Sequence, residues 1–301
     1  MSTKPSRRHH FLPRKFLRGF TNPDGCFHVY DKRKKRMFLT NPDSAFFENH
    51  LNSVSLPAGG NSDLFEPLYT FMEGQVWASF DKICESVPER PVEMKDKMNL
   101  FHFLTYLHWR LPSNAEYAAQ LASSFFSSDP RFRFIKLKSR SGQPVDPEIV
   151  EQLRNSDFWK KAARLEIPMA PYFGGSQWHE RLQAWRFIYT GDDQRWFIVG
   201  DNPIITRGVN DHDPMSCLRE FVFPVSGRIL LFCGDESFGT IRPPDLAFDF
   251  GVAILERSER FVACRDESFL SALVRLYELH VQYQKTDVII PKLFETLRGR
   301  D

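Results

Sequence analysis

From Trp185 to Cys233 five strand-like segments follow one another with no helical pattern between them, and that order limits the fold more than any other feature of the chain. The segments are Trp185 to Tyr189, Trp196 to Val199, Ile204 to Thr206, Arg219 to Phe223 and Arg228 to Cys233. Their bulky apolar and aromatic residues suit a pleated sheet. Parallel neighbours need a crossover of a dozen or more residues, usually a helix. Here Gly191-Asp192-Asp193 and Pro224-Val225-Ser226-Gly227 read as hairpin turns instead. The strands are therefore expected to be antiparallel, and a doubly wound sheet is disfavoured.

The rest of the chain fills out an α+β class. Residues 1–20 form a basic arm running into a short helix, with Pro13 in its first turn and Gly19 at its end. Cys26 to Tyr30 and Arg36 to Leu39 predict an N-terminal β-hairpin over 26–39. The tetrapeptide Thr-Asn-Pro-Asp stands on both sides of it, at 21–24 and 40–43, as matching punctuation. Residues 51–63 read as a polar loop. The segment 64–166 is mainly helical, with patterns at 64–86, 97–126 and 147–166, a kink or restart at Pro112 and a linker over 138–147. A short helix at Gln177 to Ala184 leads into the antiparallel sheet. Leu246 to Leu255 reads as a helix, Arg260 to Cys264 as a strand and Glu267 to Tyr283 as a terminal helix. The whole, 1–301, is expected to be one elaborated domain, with 177–283 mainly sheet plus the terminal helix.

The 29 Phe residues call for large aromatic cores and point to no particular chemistry. Charge is unevenly spread. Residues 1–36 hold eleven Lys and Arg against two Asp, which is +9, so a chain of net +2 carries −7 beyond Arg36. Such a basic end either attracts a polyanion or docks on the acidic body. The five cysteines are odd in number and show no C-x-x-C spacing. No apolar run is long enough to cross a bilayer, and no secretory signal is visible. The expectation is a cytoplasmic protein with reduced thiols and no membrane partner.

Several residues are candidates for chemistry. Trp196-Phe197-Ile198-Val199-Gly200 ends in Asp201-Asn202-Pro203. A carboxylate at a strand end can hold a metal, act as a base or grip a ligand. Asp and Asn also favour turns, because their side chains bond nearby amides. His10, beside His9, is either an acid–base group or a cap on the following helix; two adjacent histidines cannot both face one site on regular structure. Arg110, after Trp109 on an apolar helix, needs a carboxylate or phosphate partner, because an unpaired buried charge is costly. Glu66 and Glu73 share a helix face and suit a shared metal, a pairing with Arg110 or a solvated face. The hairpin tip Lys32-Arg33-Lys34-Lys35-Arg36, flanked by Phe27, Tyr30 and Phe38, suits a nucleic-acid backbone or an edge guarded against aggregation. No phosphate-binding glycine loop, dinucleotide fingerprint or nucleophile elbow is present.

His10-Phe11-Leu12-Pro13, with Phe16-Leu17-Arg18-Gly19-Phe20 and Val29-Tyr30-Asp31-Lys32, resembles the start of domain-of-unknown-function family 4238, a bacterial family. Glu73, Arg110 and Gly200-Asp201-Asn202-Pro203 fit that family's Glu-bearing helix, helix-end Arg and [ST]-D-N-P turn. Gly200 departs from the usual Ser or Thr. The family carries no activity to transfer. Its dispersed His, Glu, Arg, Asp and Asn resemble an active site gathered from distant segments. On that reading the chain is a metal-dependent phosphodiester or nucleotide hydrolase, of the kind used by a defence or toxin effector. Glu73 and Asp201 would hold Mg or Mn, His10 would be the acid or base, Asn202 would complete the site, and Arg110 would stabilise phosphate charge. Nucleic acid or a nucleotide would be the partner, steered by Lys32 to Arg36. The alternative is a non-catalytic binding or regulatory protein in which the same residues form a structural polar network.

Overall fold

A computed structural model describes residues 8–55, 61–124, 143, 146–168, 177–191, 194–207, 220–234 and 246–298. In chain order the elements are β1 (Arg8–His10), α1 (Arg14–Arg18), β2 (Phe27–Asp31), β3 (Arg36–Thr40), β4 (Phe47–Asn49), β5 (Val54–Ser55), β6 (Asn61–Ser62), α2 (Phe65–Ser86), α3 (Met94–Arg110), α4 (Ala115–Ser124), α5 (Pro147–Asn155) and α6 (Asp157–Glu166). They continue with α7 (Gln177–Gln183), β7 (Arg186–Tyr189), β8 (Val199–Gly200), β9 (Ile205–Thr206), β10 (Phe221–Pro224), β11 (Ile229–Cys233), α8 (Leu246–Arg257), β12 (Phe261–Cys264), α9 (Glu267–Gln282) and α10 (Ile289–Arg298). The α+β class holds, and every described strand pairing is antiparallel.

One four-stranded sheet runs β7-β11-β10-β9 and is covered on both faces. Phe221, Phe223, Ile229 and Leu231 pack toward α1, α2 and α3, while Val222, Leu230 and Phe232 pack toward α8, α9 and α10. Double burial explains why Ile229 to Cys233 is apolar without alternation. The phenylalanines concentrate at the first seam. Phe16 of α1 stacks on Phe223 at 5.3 Å and meets Phe80 and Phe103 edge-on or tilted at about 6 Å.

The second four-stranded sheet, β3-β2-β12-β8, unites the two ends of the chain. β12 lies between the N-terminal hairpin and β8, with Val262 opposite both Tyr30 and Gly200. Asn22 and Asn41, the matching punctuation, each use Oδ1 to accept an amide two residues on, from Asp24 and Asp43 at 3.1 Å.

Several boundaries differ from the sequence reading. The helix expected over 97–126 breaks after Arg110 and restarts at Ala115, because Pro112 cannot donate to the helical ladder. The helix expected over 147–166 divides at Ser156, whose Oγ caps α6 by accepting the Trp159 amide. The strand expected at Trp196 to Val199 is reduced to Val199–Gly200, because the Phe197 amide turns to the Gly227 carbonyl instead of a neighbouring strand. The polar 51–63 segment contains the short β5–β6 pair. Helix α10 lies beyond the expected last helix and packs on α8 through Leu293, Phe294 and Leu297. Most of the 138–147 linker lies outside the described residues.

Candidate functional site

Asp201 follows β8 and turns its side chain onto the start of β12. Its Oδ1 accepts the Glu259 amide at 2.9 Å, and its Oδ2 accepts the Arg260 and Phe261 amides at 2.7 and 2.8 Å. The Asp201 amide returns a bond to the Phe261 carbonyl at 2.9 Å. Burial holds the carboxyl's pKa above its ordinary value, and the three amide donors only partly oppose that rise. This clamp fixes the turn between α8 and β12 to the end of β8. Asn202 lines a shallow polar cavity with Arg33, Glu48, Asp201, Glu259 and Arg260.

Gly200 is set by its neighbour. A Cβ at this position would lie 2.0 Å from Ser258 Oγ and 2.9 Å from Ile254 Cγ2. Ser258 is 3% exposed and its Oγ has no hydrogen-bond partner among the described residues. The serine hydroxyl therefore fills the space into which a side chain at 200 would project.

Glu73 and Arg110 meet across the helical hairpin of α2 and α3. Arg110, 5% exposed, donates through Nη1 to Glu73 Oε1. Its guanidinium carbon lies 4.5 Å from the centre of the Tyr69 ring, and its buried Nε has no hydrogen-bond partner among the described residues. Burial raises the pKa of Glu73, Arg110 lowers it and Glu66 raises it. The pair borders a cleft of about 200 Å³ lined by Tyr69, Phe71, Met72 and Val76 of α2 and by Asn99, His102, Phe103, Tyr106 and Leu107 of α3. Lacking any motif spacing, Tyr69, His102 and Tyr106 gave no sequence signal beyond lying on the apolar helix faces. Behind Arg110, the buried Arg164 of α6 donates to the last carbonyls of α3, including Trp109 at 2.8 Å and that of Arg110 itself. It satisfies a helix end that would otherwise be unpaired.

The adjacent histidines point to opposite faces of β1, as strand alternation requires. His10 Nδ1 lies 3.5 Å from Arg14 Nε, and its ring tilts against Phe47 at 5.6 Å. Burial lowers its pKa, and Arg14 and Arg110 lower it further. His9, fully buried, accepts the Asn52 amide on Nδ1 at 2.9 Å and places Nε2 3.4 Å from Asp63. Glu66, the second carboxylate on the α2 face, bonds Asn52 Nδ2 at 2.6 Å and faces His9.

The candidate residues thus fall into separate places. Glu73 and Arg110 are together, with His10 near enough to feel the Arg110 charge. Asp201 and Asn202 line a different cavity from Glu73. The basic tip also divides. Lys32 donates to the Leu255 carbonyl and, at 2.6 Å, to that of Ser258, so it caps the C-terminus of α8. Lys34, Lys35 and Arg36 are exposed, and Arg33 faces Glu259 at 3.6 Å. Burial alone would raise the Asp31 carboxyl at the tip's base, but the Lys34 amide, Arg260 and the Arg33 amide hold it below its usual value.

No helix among the described residues is long and apolar enough to cross a membrane. No curated protein and no solved structure matches the chain. A family described as a protein of unknown function, DUF4238, matches residues 8–268. That span includes β1 with His10, the α2–α3 hairpin with Glu73 and Arg110, and the Asp201 clamp on β12, and the chain belongs to the DUF4238 family.

Proposed function

We propose that this protein is a ligand-binding or regulatory protein that takes a small molecule in the cleft between α2 and α3. One observation carries the reading. Arg110 is buried at the edge of open, mostly apolar space, and its Nε has no hydrogen-bond partner among the described residues. Buried polar groups are almost always hydrogen-bonded, and a cleft with few convergent polar groups is the usual form of a ligand site. Asp201, Lys32 and Arg164 serve as structural clamps in this reading, since their polar atoms are engaged by the backbone. Metal-dependent phosphodiester cleavage would need Glu73 and Asp201 at one ion. They line separate cavities, with oxygens engaged by Arg110 and by three amides.

The test pairs a thermal-shift screen of small anionic, cationic and neutral compounds with cleavage assays on RNA, DNA and nucleotides in Mg or Mn. The expected result is a saturable rise in melting temperature with at least one compound. Asp201→Ala should cost about 2–4 kcal/mol of stability, because three amides lose an ionised acceptor. Metal-dependent cleavage that disappears in Asp201→Ala at an unchanged melting temperature would overturn the proposal.

A further inference from the structure

We infer that the α2–α3 cleft selects a small aromatic acid, a single ring bearing one carboxylate, and that the carboxylate docks on Arg110. This inference rests on the proposal that the cleft is the ligand site. It is argued from volume, walls and charge.

The cleft holds about 200 Å³. An apolar cavity of roughly 150 Å³ accommodates benzene, and clefts for drug-sized ligands start at about 300 Å³. One ring with a short polar substituent fits, and a nucleotide is too large to be enclosed. The walls are rings: Tyr69, Phe71, His102, Phe103 and Tyr106 all border the space. Aromatic faces favour an aromatic guest in an offset or edge-on arrangement over an aliphatic one.

Charge sets the substituent. The Arg110 guanidinium is planar and presents its N–H groups as a fork that matches a carboxylate. Nη1 is occupied by Glu73, while Nε is sealed from the open space and has no partner among the described residues. A ligand carboxylate entering the cleft therefore competes with Glu73 for that fork. The Arg110–Glu73 pair is neutral as a unit, so a monoanion adds one negative charge to a buried site and a phosphate dianion adds two. Desolvating the second charge disfavours the dianion. Burial holds the Glu73 carboxyl above its ordinary value even with Arg110 beside it.

Calorimetric titration of the full chain with phenylacetate and its neutral isostere phenylacetamide tests the inference. Phenylacetate should bind at least tenfold more tightly. Glu73→Gln keeps the shape of the cleft and removes the competing carboxylate, so it should widen that preference by a further tenfold or so. Glu73→Gln with Arg110→Gln should abolish the preference. Val76→Phe, which fills the cleft, should abolish binding of both. Circular dichroism melts establish that each variant is folded, and if the double variant is not, the Glu73→Gln titration decides alone. Equal or tighter binding of phenylacetamide by the native chain would overturn the acid assignment and leave the cleft as the ligand site. Binding of either compound that survives Val76→Phe in a folded protein, or no binding of either, would overturn the inference; survival would also remove the cleft as the site.

Discussion

Gly200→Ala is the sharpest test of how the Asp201 clamp is built. The added Cβ would meet Ser258 Oγ at 2.0 Å, Ile254 Cγ2 at 2.9 Å and Ser258 Cβ at 3.3 Å. The hydroxyl can rotate without losing a hydrogen bond, because it has none. Ile254 cannot yield so easily, since it is fully buried in α8 among the residues that face the sheet. Overpacking of this kind costs about 1–3 kcal/mol. At this chain length that corresponds to roughly 2–3 °C in melting temperature per kcal/mol. Ser258→Ala removes the nearest atom and a buried unsatisfied hydroxyl, so alone it should leave stability unchanged or raise it by up to about 1 kcal/mol. In the double variant Gly200→Ala/Ser258→Ala, at least half of the Gly200→Ala loss should be recovered. The assay is urea unfolding of the native chain, both single variants and the double variant, read as a coupling energy. A Gly200→Ala protein as stable as the native one would refute the packing argument. So would a coupling energy of zero, which would mean that Ser258 and position 200 do not compete for the same space. In this chain the space that a side chain at 200 would enter is filled by the hydroxyl of Ser258.

Two further outcomes follow from charge placement. Burial lowers the pKa of His108 to about 4, and burial also leads the lowering at His10 and His102. A histidine whose folded value lies below the unfolded value of about 6.5 contributes its full share of stability above pH 6.5 and loses it as pH falls toward the folded value. Urea midpoints should therefore fall between pH 6.5 and 4, and His108→Gln should flatten that slope. A midpoint unchanged from pH 7 to 4.5 would contradict the burial of these rings. At the hairpin tip, Lys32→Met should cost about 2 kcal/mol by uncapping α8, whereas Lys34→Glu with Lys35→Glu should leave the melting temperature within a degree. If the tip engages nucleic acid, the double charge reversal and not Lys32→Met should weaken RNA retention at low salt.

The α+β class, the hairpin and most helix positions were legible in the sequence, because they follow from hydrophobic periodicity and turn chemistry, which are local. Pro112 fixed a helix break, and the repeated Thr-Asn-Pro-Asp marked two side-chain-capped turns. The Glu73–Arg110 contact was legible only as one of three options, since a buried Arg needs a carboxylate but spacing does not say which. Three things were decided by tertiary structure alone. β12 lies between the hairpin and β8, which turns Asp201 from a free strand-end carboxylate into the acceptor of three amides more than fifty residues away. Lys32 leaves the basic tip to cap α8, 223 residues further along the chain. Tyr69, His102 and Tyr106 become the walls of one cleft when α2 and α3 pair. The sequence by itself determined which segments are strands and helices and which side chains carry charge. Which charges meet backbone, which meet each other and which one is left facing open space depended on long-range packing, because hydrogen-bond satisfaction is settled only when distant segments are in contact.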